Sequence, residues 1–558
     1  MDSTPFRVLD AALDPHPSWW RADPAFQSLV RRLLAPADFD WLLPQLEEMG
    51  SAAAGRVDGL ARLADKHGPT HRPFDELGHR VDQIVHHPAY RQMEEVAYGS
   101  GMVALKYQPD HRAARHVLGY ALGYLFAQAE SGLYCPLCMT DGVARVIERH
   151  GDDEQRKRVI PRLAARDLSR LWRGAMFLTE KQGGSDVGAT ATRAVPDGAR
   201  FRLYGEKWFC SNVDAEAILT LARPDGAAAG TRGLGLFLVV RDRPLAGLRI
   251  ERIKDKLGVR SMATGEVSLD GVEAERVGPI DHGFKAMTDM LNLSRLYNAV
   301  ASVAIARRAA LEATRYLRRR RTFGRPATDH PLVREALADQ HAEQIAATHL
   351  AFQAALHLDR ADSGSLEDAR RVRLLTPLAK YSTAKSAVWA SSEAIEHLGG
   401  NGYVEDFPTA RLLRDAQVLP VWEGTTNILL LDALRACRKD RAHELLLADL
   451  EARCAAAPAG LAREAQVVGR LASTLGEEAG PLLESDPERQ AGRLRRFCDR
   501  LVTACCAALL IEAAGIDAGA RGLLGAAARR LVRRHLEPER DSLAEDNAAL
   551  VEGAVLEG

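Results

Sequence analysis

Hydrophobic residues return every three or four positions through roughly residues 25–170, as in VLGYALGYLFAQA, and this spacing predicts amphipathic helices. From about 173 to 282 the pattern changes to short alternating or wholly apolar runs, such as FRLYGEKWF and GLGLFLVV, separated by Gly, Pro and Asp. Runs of this length and punctuation are typical of β-strands. The first half of the chain therefore predicts a helical region followed by a compact β region.

The helical spacing returns after Gly283 in three long segments, which predict a four-helix bundle. Another helical stretch, rich in Ala, Leu and Arg, covers about 440–558. The length of 558 residues also exceeds that of a typical single domain. We therefore expect an α+β chain of four parts: an N-terminal extension with a helical domain (1–172), a β domain (173–282), a four-helix bundle (283–439) and an additional α-helical domain (440–558).

Composition excludes several classes of protein. The chain has 74 Lys and Arg against 75 Asp and Glu, so its net charge of -1 offers no overall basic field for nucleic acid. Its 8 cysteines are too few for a disulfide scaffold and favour a reducing compartment. The N-terminus is acidic and has no signal or transit pattern, and no apolar run approaches the length of a membrane span. These features predict a cytoplasmic protein without a membrane partner.

Two candidate motifs fall at the start of the β region. They are FLTEKQGGSDVGATATRA (177–194) and GEKWFCSN (205–212). By local physics alone, GGSD is more often a tight turn capped by Ser or Asp, and a single Trp on a strand is more often part of a core. Neither motif identifies a ligand by itself.

Three further motifs lie in the second helical region. They are RRRRTFGRP (318–326), HLGGNGY (397–403) and VWEGTTNI (421–428). The positive charges of the arginines could complement the negative C-terminal end of a helix, or the arginines could hold a diphosphate. The glycines could cap a helix, or they could let a diphosphate approach the backbone. Glu423 could be an ordinary surface residue, or, beside Trp422, a desolvated carboxylate that acts as a general base.

The ordered set TE..GGSDV, KWF.SN, R..FG, GGNGY and WEG..NI closely resembles the acyl-CoA dehydrogenase flavoproteins over roughly residues 90–436. The resemblance implies an acyl-CoA dehydrogenase-like α+β fold: an N-terminal helical domain, a central β domain and a C-terminal four-helix bundle, here with an extra C-terminal α domain. HHPAY near residue 87, WEG followed by NILLLDALRA, and the extra domain resemble the AidB branch of this family.

The resemblance implies FAD as cofactor and assigns residues to it. The loop that hydrogen-bonds the flavin and contacts the thioester would contain Phe177, Thr179, Glu180, Gly184, Ser185 and Asp186, and Trp208 would cover the flavin ring. Arg320, with Phe323, would hold the FAD diphosphate of a neighbouring subunit, and the loop of Gly399, Gly400 and Gly402 would meet its ADP part. Thr425 and Asn427 would contact FAD again.

The same resemblance implies α,β-dehydrogenation of an acyl-CoA thioester. Glu423 would take the α proton while the β hydride passes to flavin N5. Ser185, Arg295 and Gly424 would contact the substrate. Some relatives carry the base on the helix before R..FG, but that position is Ser294 here, so Glu423 is the candidate base.

Two positions depart from the family pattern. Many relatives have Trp-x-Thr-Asn where this chain has Trp208-Phe209-Cys210-Ser211-Asn212. The hydroxyl expected at flavin N5 is therefore either replaced by Cys210 or displaced to Ser211. The common Gln before the glycine loop is Glu396, which we do not assign to the site.

Two functions of different classes follow from the resemblance. The first is an FAD-dependent acyl-CoA dehydrogenase, a homotetramer or homodimer whose electrons leave through an electron-transferring flavoprotein or oxygen. The second is an AidB-like protective or regulatory flavoprotein that binds DNA or an acyl-CoA with little turnover. Glu423 favours the first function, and the AidB-type ends of the chain favour the second.

Two other features carry weaker hypotheses. Cys135 and Cys138 have zinc-knuckle spacing, but no second ligand pair lies at a plausible distance, so we expect no metal site. Residues 441–558 contain 15 Arg and no Lys against 19 acidic residues, a net charge of −4 that opposes DNA binding. Two stripes at helical spacing could form solvated faces, interface pairs or phosphate contacts: Arg493, Arg495, Arg496 and Arg500, and Arg529, Arg530, Arg533 and Arg534.

Overall fold

The computed structural model describes residues 16–241, 245–539 and 544–556. The acidic N-terminal segment, on which the expectation about targeting signals depends, lies outside the described residues. Within the described chain, no helix combines the length and the apolar character that a membrane crossing requires.

Tertiary contacts group the chain into two compact units. The first unit takes its described residues from 1–55, 113–129 and 298–558, and the second unit from 56–112 and 130–297. The bundle region from Asn298 onward and the helical region that follows it belong to the same unit, and four of the last five helices pack against the long helices of the bundle.

Helices make up most of the first unit, and long ones are concentrated after residue 283. Up to residue 170 they are α1 (Pro24–Leu33), α2 (Pro36–Ala52), α3 (Asp58–Lys66), α4 (Pro88–Gly99), α5 (Arg115–Ala127), α6 (Tyr134–His150) and α7 (Asp153–Leu163). The bundle region contains α8 (Gly283–Arg319), α9 (Pro331–Asp362), α10 (Leu366–Leu398), α11 (Gly400–Tyr403), α12 (Pro408–Ala416) and α13 (Thr426–Asp440). The last region contains α14 (Ala442–Ala455), α15 (Ala462–Glu484), α16 (Pro487–Ile516), α17 (Arg521–Leu536) and α18 (Ala544–Gly553).

Several helices begin where the sequence carries a capping signal. The carboxylate of Asp23 accepts a hydrogen bond from the N–H of Phe26 at 3.0 Å, and Pro24 is the first residue of α1. Asp152 and Gln155 form a reciprocal capping box at the start of α7. Local polar residues therefore fix where these helices start.

The β region belongs to the second unit. Its strands are β3 (Gly174–Phe177), β4 (Arg193–Asp197), β5 (Arg200–Ser211), β6 (Ala217–Pro224), β7 (Gly235–Val240), β8 (Leu248–Ile253) and β9 (Thr264–Arg276), preceded by β1 (Thr70–Phe74) and β2 (Arg80–Val85). Pairing runs in the order β3-β6-β4-β5-β9-β7, β8 pairs with β9, and β7 also pairs with β6. Because β6 pairs with both β4 and β7, five of the strands close into a ring. A short pair, β10 (Arg321–Thr322) and β11 (Arg325–Pro326), lies in the first unit.

Both faces of β7 and of most of β6 are buried, which explains why β7 is wholly apolar in sequence and β6 carries only Thr220 among apolar residues up to Ala222. Ile218 and Ala222 of β6 pack into a core with Phe237 and Val239 of β7. The alternate residues of the same strands, including Leu219, pack into a second core with α6 and α8. A strand covered on both sides has no polar face, so its sequence shows a continuous hydrophobic run.

The hairpin β1–β2 corrects the expectation that residues 25–170 are entirely helical. Its two strands pair in antiparallel fashion inside that range. Asp82 fixes the hairpin to β8, because its carboxylate accepts hydrogen bonds from the N–H of Ile250 at 3.1 Å and from the guanidinium of Arg80 at 2.9 Å. The helical composition of the flanking segments conceals these two short strands.

Candidate functional site

The TE..GGSDV segment starts where β3 ends. The side chain of Phe177 is 2% exposed and packs in the sheet core, so Phe177 could offer a ligand only main-chain atoms. Thr179 is half-buried, and its carbonyl oxygen accepts a hydrogen bond from the N–H of Trp208 at 2.8 Å. This bond brings two motifs together that are separated by about 25 residues in sequence.

Gly184 lies close against Thr179. A Cβ atom added to Gly184 would stand 2.6 Å from the Thr179 Oγ1 atom, so a side chain at this position would displace the hydroxyl. Ser185 and Asp186 follow on the exposed part of the loop. The glycine therefore lets a main-chain turn approach the Thr179 hydroxyl closely.

Glu180 points into the sheet, where it anchors the loop. Its Oε1 atom lies 2.8 Å from the Nζ atom of Lys207, and its carboxylate accepts hydrogen bonds from the hydroxyl of Thr192 and the N–H of Ala191. Burial alone would raise the pKa of Glu180, but the charge of Lys207 and these hydrogen bonds lower it to about 2. Glu180 is therefore an ionised structural residue.

Strand β5 contains a bulge immediately before Ser211. Lys207 pairs with Val267 and Cys210 pairs with Gly265, so two residues of β5, Trp208 and Phe209, lie opposite one residue of β9. The N–H of Trp208, which the bulge removes from the ladder, is the one that binds Thr179.

The two candidate positions for the family hydroxyl, Cys210 and Ser211, have different surroundings. Cys210 is fully buried in the sheet core, and burial raises the pKa of its thiol, so the thiol stays neutral. Ser211 pairs with Thr264 of β9, is half-buried, and its Oγ atom lies 3.3 Å from the Thr264 Oγ1 atom. These surroundings favour Ser211 over Cys210 as the candidate for the displaced hydroxyl.

Ser294 and Arg295 lie side by side on α8. The Ser294 side chain is buried, and within the described chain its hydroxyl has no hydrogen-bond partner. Arg295 is half-buried and donates a hydrogen bond to the Asn292 Oδ1 atom at 3.1 Å. A serine at this position is not a general base, so the candidate base remains on the WEG segment.

In the first unit, the R..FG and GGNGY motifs meet at one tyrosine. The Tyr316 hydroxyl oxygen lies 2.9 Å from the Arg320 Nη1 atom and 2.9 Å from the Asn401 Nδ2 atom. Arg320 is exposed beyond this contact, and Phe323 is 97% exposed with a left-handed φ of 50°. An exposed cation therefore stands near the glycine loop, and an exposed aromatic ring follows it three residues later in the chain.

The glycine loop turns sharply and is open to solvent. Gly399 has φ 64°, and an added Cβ atom at Gly399 or Gly400 would meet nothing within 4 Å. Gly402 is different, because a Cβ atom there would lie 2.4 Å from the carbonyl oxygen of Ile395. The first two glycines leave the backbone accessible, and the third packs the loop onto α10.

Glu423 has a left-handed backbone with φ 58°, which a non-glycine residue rarely adopts. The residue is half-buried, and its Oε2 atom is buried. The next residue, Gly424, has φ 99°, and its carbonyl oxygen accepts a hydrogen bond from the buried Lys380 Nζ atom at 2.7 Å. Lys380 therefore holds the turn that presents the Glu423 carboxylate.

Thr425 and Asn427 begin α13. Thr425 is exposed at the N-cap, and Asn427 is exposed in the first turn. The Oδ1 atom of Asn427 accepts a hydrogen bond at 3.0 Å from Arg495 of α16. The additional C-terminal region therefore contacts a segment to which the sequence assigns the cofactor.

The arginines of α17 are held by carboxylates of the first unit. Arg530 is buried and its guanidinium lies 2.6 Å from Asp339 and 2.8 Å from Glu335 of α9. Arg534 also pairs with Asp339, and Arg533 pairs with Asp546. Of the three interpretations of this stripe, these contacts favour ion pairs between helices.

Cys135 and Cys138 both lie on α6. Searching the described ranges, we find no group of three or more His, Cys, Asp or Glu side chains placed to hold a metal ion.

Sequence reasoning missed four residues of this arrangement. Lys207, Tyr316, Lys380 and Arg495 each act through a partner that is distant in sequence. Only Lys207 has a signal in its local sequence. A lysine at a strand position that faces the core must find a counter-charge.

Three family descriptions match this chain in succession. "Adaptive response protein AidB N-terminal domain" matches residues 15–169, "Acyl-CoA dehydrogenase, middle domain" matches 175–272, and "Acyl-CoA dehydrogenase, C-terminal domain" matches 281–437. The matches follow the predicted order of a helical, a β and a second helical region, which confirms the predicted fold class.

Individual relatives agree with these matches. Acyl-CoA dehydrogenase family member 11 of Caenorhabditis elegans is 37% identical over 431 residues, which is 75% of this chain and 70% of the relative. The AidB protein of Escherichia coli is 34% identical over 431 residues, 75% of this chain and 77% of AidB.

Solved structures show the same fold. The structure of C. elegans ACDH-11 in complex with C11-CoA superimposes with a TM-score of 0.89 at 31% identity, covering 95% of this chain and 93% of that one. A Bacillus anthracis acyl-CoA dehydrogenase complexed with FAD shares the fold at a TM-score of 0.72 and 18% identity, covering 96% of this chain and 99% of that one. The chain belongs to the acyl-CoA dehydrogenase family of flavoproteins, in the branch that carries the AidB N-terminal domain.

Proposed function

We propose that this protein oxidises an acyl-CoA thioester to its α,β-unsaturated product, with Glu423 as the base. The observation that carries the proposal is the backbone of Glu423, a non-glycine residue held at φ 58° with a buried carboxylate oxygen. Strained backbone of this kind persists when the surrounding structure determines it, as the bond from Lys380 to Gly424 does here. Membership of the family supports an oxidoreductase of this class.

FAD is the cofactor, and the residues described above fit it. Gly184 leaves space beside the Thr179 hydroxyl, Ser211 offers a second hydroxyl, and Gly399 and Gly400 leave backbone open to a diphosphate. The proposed cofactor contacts are Phe177, Thr179, Gly184, Ser185, Trp208, Ser211, Arg320, Phe323, Gly399, Gly400, Gly402, Thr425 and Asn427. When bound, FAD supplies the acceptor for the hydride that leaves the β carbon.

The protein residues position the substrate and move its proton. Glu423 takes the α proton from the thioester and holds it on its carboxylate, while the main-chain N–H of the base offers a hydrogen bond to the thioester oxygen. Ser185, Arg295 and Gly424 are the proposed substrate contacts. The relative bound to C11-CoA makes an acyl group of that length the first substrate to test.

The decisive experiment is anaerobic titration of the purified protein with acyl-CoAs of increasing length, monitored by bleaching of the flavin absorbance. We expect one length class to bleach the wild type and Glu423→Gln to keep its FAD but lose bleaching. Glu451→Gln is the matched control, because Glu451 is an exposed glutamate of α14. Normal flavin reduction in Glu423→Gln would reject Glu423 as the base.

We also propose that the active form is a homotetramer or homodimer that passes electrons to an electron-transferring flavoprotein or oxygen. The exposure of Arg320, Phe323 and the glycine loop supports this, because a second subunit could place its cofactor on these residues. Light scattering of the FAD-loaded protein tests the assembly. A monomer that retains FAD and is reduced by acyl-CoA would contradict it.

An AidB-like protective or regulatory role with DNA binding is the second candidate. The AidB N-terminal domain match supports the branch. The arginines of α17 do not support DNA contact, since Arg530, Arg533 and Arg534 already pair with carboxylates. Binding to duplex DNA that falls steeply with added salt, in a protein whose flavin no acyl-CoA bleaches, would favour this role over turnover.

A further inference from the structure

The hairpin β10–β11, which follows Arg320, has a further arginine on each side of it in the chain. Arg318 is the last residue but one of α8, and Arg334 lies near the start of α9. Arg320 itself is exposed, and its carbonyl oxygen accepts a hydrogen bond at 2.8 Å from the N–H of Ala327, which closes the base of the hairpin. The family resemblance assigns Arg320 to the cofactor but gives no role to Arg318 or Arg334.

Arg318 binds the C-terminal end of α18. Its guanidinium donates hydrogen bonds to the carbonyl oxygens of Val551 at 2.7 Å, Glu552 at 3.2 Å and Val555 at 3.0 Å. The last carbonyl groups of a helix have no partner within the helix, and they form the negative end of its dipole. Arg318 therefore caps a helix whose last turn lies 233 residues further along the chain.

Arg334 links the same end of α18 to the other side of the hairpin. Its Nη2 atom donates a hydrogen bond to the Glu552 Oε1 atom at 3.0 Å, and its Nε atom donates one to the carbonyl oxygen of Thr328 at 3.3 Å. Thr328 follows Pro326, the last residue of β11, by two positions. The chain on both sides of the hairpin is therefore tied to α18.

The end of α18 is held in place by its own apolar residues. Helix α18 packs against α9 and α17. Four side chains at its C-terminal end are 2% exposed or less: Leu550, Val551, Ala554 and Val555. Because this packing already fixes α18, the two arginines transmit the position of α18 to the hairpin.

We propose that the C-terminal segment 544–556 sets the position of Arg320, and with it the affinity for FAD, through Arg318 and Arg334. Both are positioning residues, since they hold the main chain on either side of the hairpin and act on the cofactor through Arg320. A hairpin of two very short strands has little stability of its own, so its geometry depends on such contacts. This inference rests on the proposed function, because it assumes that Arg320 contacts FAD.

The test is a double-mutant cycle on FAD affinity, not on turnover. FAD-free wild type, Arg318→Met, Arg320→Met and the double variant are titrated with FAD, and urea unfolding confirms that each is folded. Arg318→Met should weaken FAD binding about fivefold or more in the wild type, but less than about twofold when residue 320 is already Met. A general loss of structure would instead lower the affinity equally in both backgrounds.

Three further variants complete the experiment. Arg318→Lys should recover part of the lost affinity, because an ammonium group can still donate to the carbonyl oxygens. Arg334→Met, tested in the same cycle, replaces Arg318→Met if that variant does not fold. Arg470→Met is the matched control, since Arg470 is an exposed arginine of α15, and it should bind FAD as wild type does.

Wild-type affinity in both Arg318→Met and Arg334→Met, or an equal loss with and without Arg320, would overturn the inference. Unchanged affinity in Arg320→Met would instead reject the assignment of Arg320 to the cofactor, and this inference with it. A wild-type protein that takes up no FAD would reject the proposed function itself.

Discussion

The Nζ atom of Lys207 lies 2.8 Å from the Oε1 atom of Glu180, and both side chains are almost completely buried. Lys207 belongs to β5 and Glu180 to the loop after β3, so this ion pair ties the loop that carries the proposed flavin contacts to the sheet. Its desolvated charges stabilise the fold only as a pair.

Glu180→Gln should destabilise the protein by about 3–5 kcal/mol, because it leaves the Lys207 charge buried without a counter-charge. Urea unfolding measures this loss in the free energy of unfolding. Glu206→Gln is the control, since Glu206 forms an exposed pair with Lys181 and should change stability by less than about 1 kcal/mol. Equal effects of the two substitutions would contradict the structural role of Glu180.

The contribution of Glu180 should also depend on pH. Its pKa falls from an ordinary value of 4.5 to about 2 in the folded protein, so the unfolded chain binds the proton more readily. The stabilisation is therefore complete above about pH 4.5 and is lost as the pH falls toward about 2. The difference in unfolding free energy between wild type and Glu180→Gln should shrink between about pH 6 and pH 3; a constant difference would contradict it.

Lys380→Met should slow flavin reduction by acyl-CoA about tenfold or more without lowering FAD content, because the Glu423–Gly424 turn loses the bond that holds it. Lys385→Met on the same helix is the matched control, since Lys385 is exposed. Stopped-flow measurement of flavin bleaching distinguishes the two. A wild-type rate in Lys380→Met would show that the turn is held by other contacts.

Tyr316→Phe should weaken FAD binding about fivefold, because Arg320 and Asn401 both lose the hydroxyl that aligns them. Tyr403→Phe, at an exposed tyrosine of the same loop, should leave the affinity unchanged. Titration of FAD-free protein compares the two variants. A larger effect at Tyr403 would mean that the hydroxyl between Arg320 and Asn401 plays no part in cofactor binding.

Local patterns were sufficient to predict the order of helical and β regions. The hairpin β1–β2 escaped prediction because its strands are short and are stabilised by a distant contact between Asp82 and Ile250. Its sequence resembles a break between helices more than a pair of strands.

The site shows the same division between local and non-local information. The sequence motifs identified Thr179, Ser211 and Glu423 as candidate site residues. They did not identify the residues that contact these segments and fix their positions. Lys380 donates a hydrogen bond to Gly424 across 44 residues of sequence, and Tyr316 contacts Asn401 across 85 residues. Contacts at such separations depend on how helices and strands pack, which no window of sequence contains.

The bulge in β5 also determines how residue roles transfer between relatives. A bulge accommodates one inserted residue without turning the rest of the strand over, so Ser211 keeps its face although the segment is one residue longer than Trp-x-Thr-Asn. A residue role assigned by counting from Trp208 along a regular strand is therefore shifted by one position at this segment. Deletion of Trp208 should accordingly give a regular strand in which Phe209 and Ser211 keep their spacing.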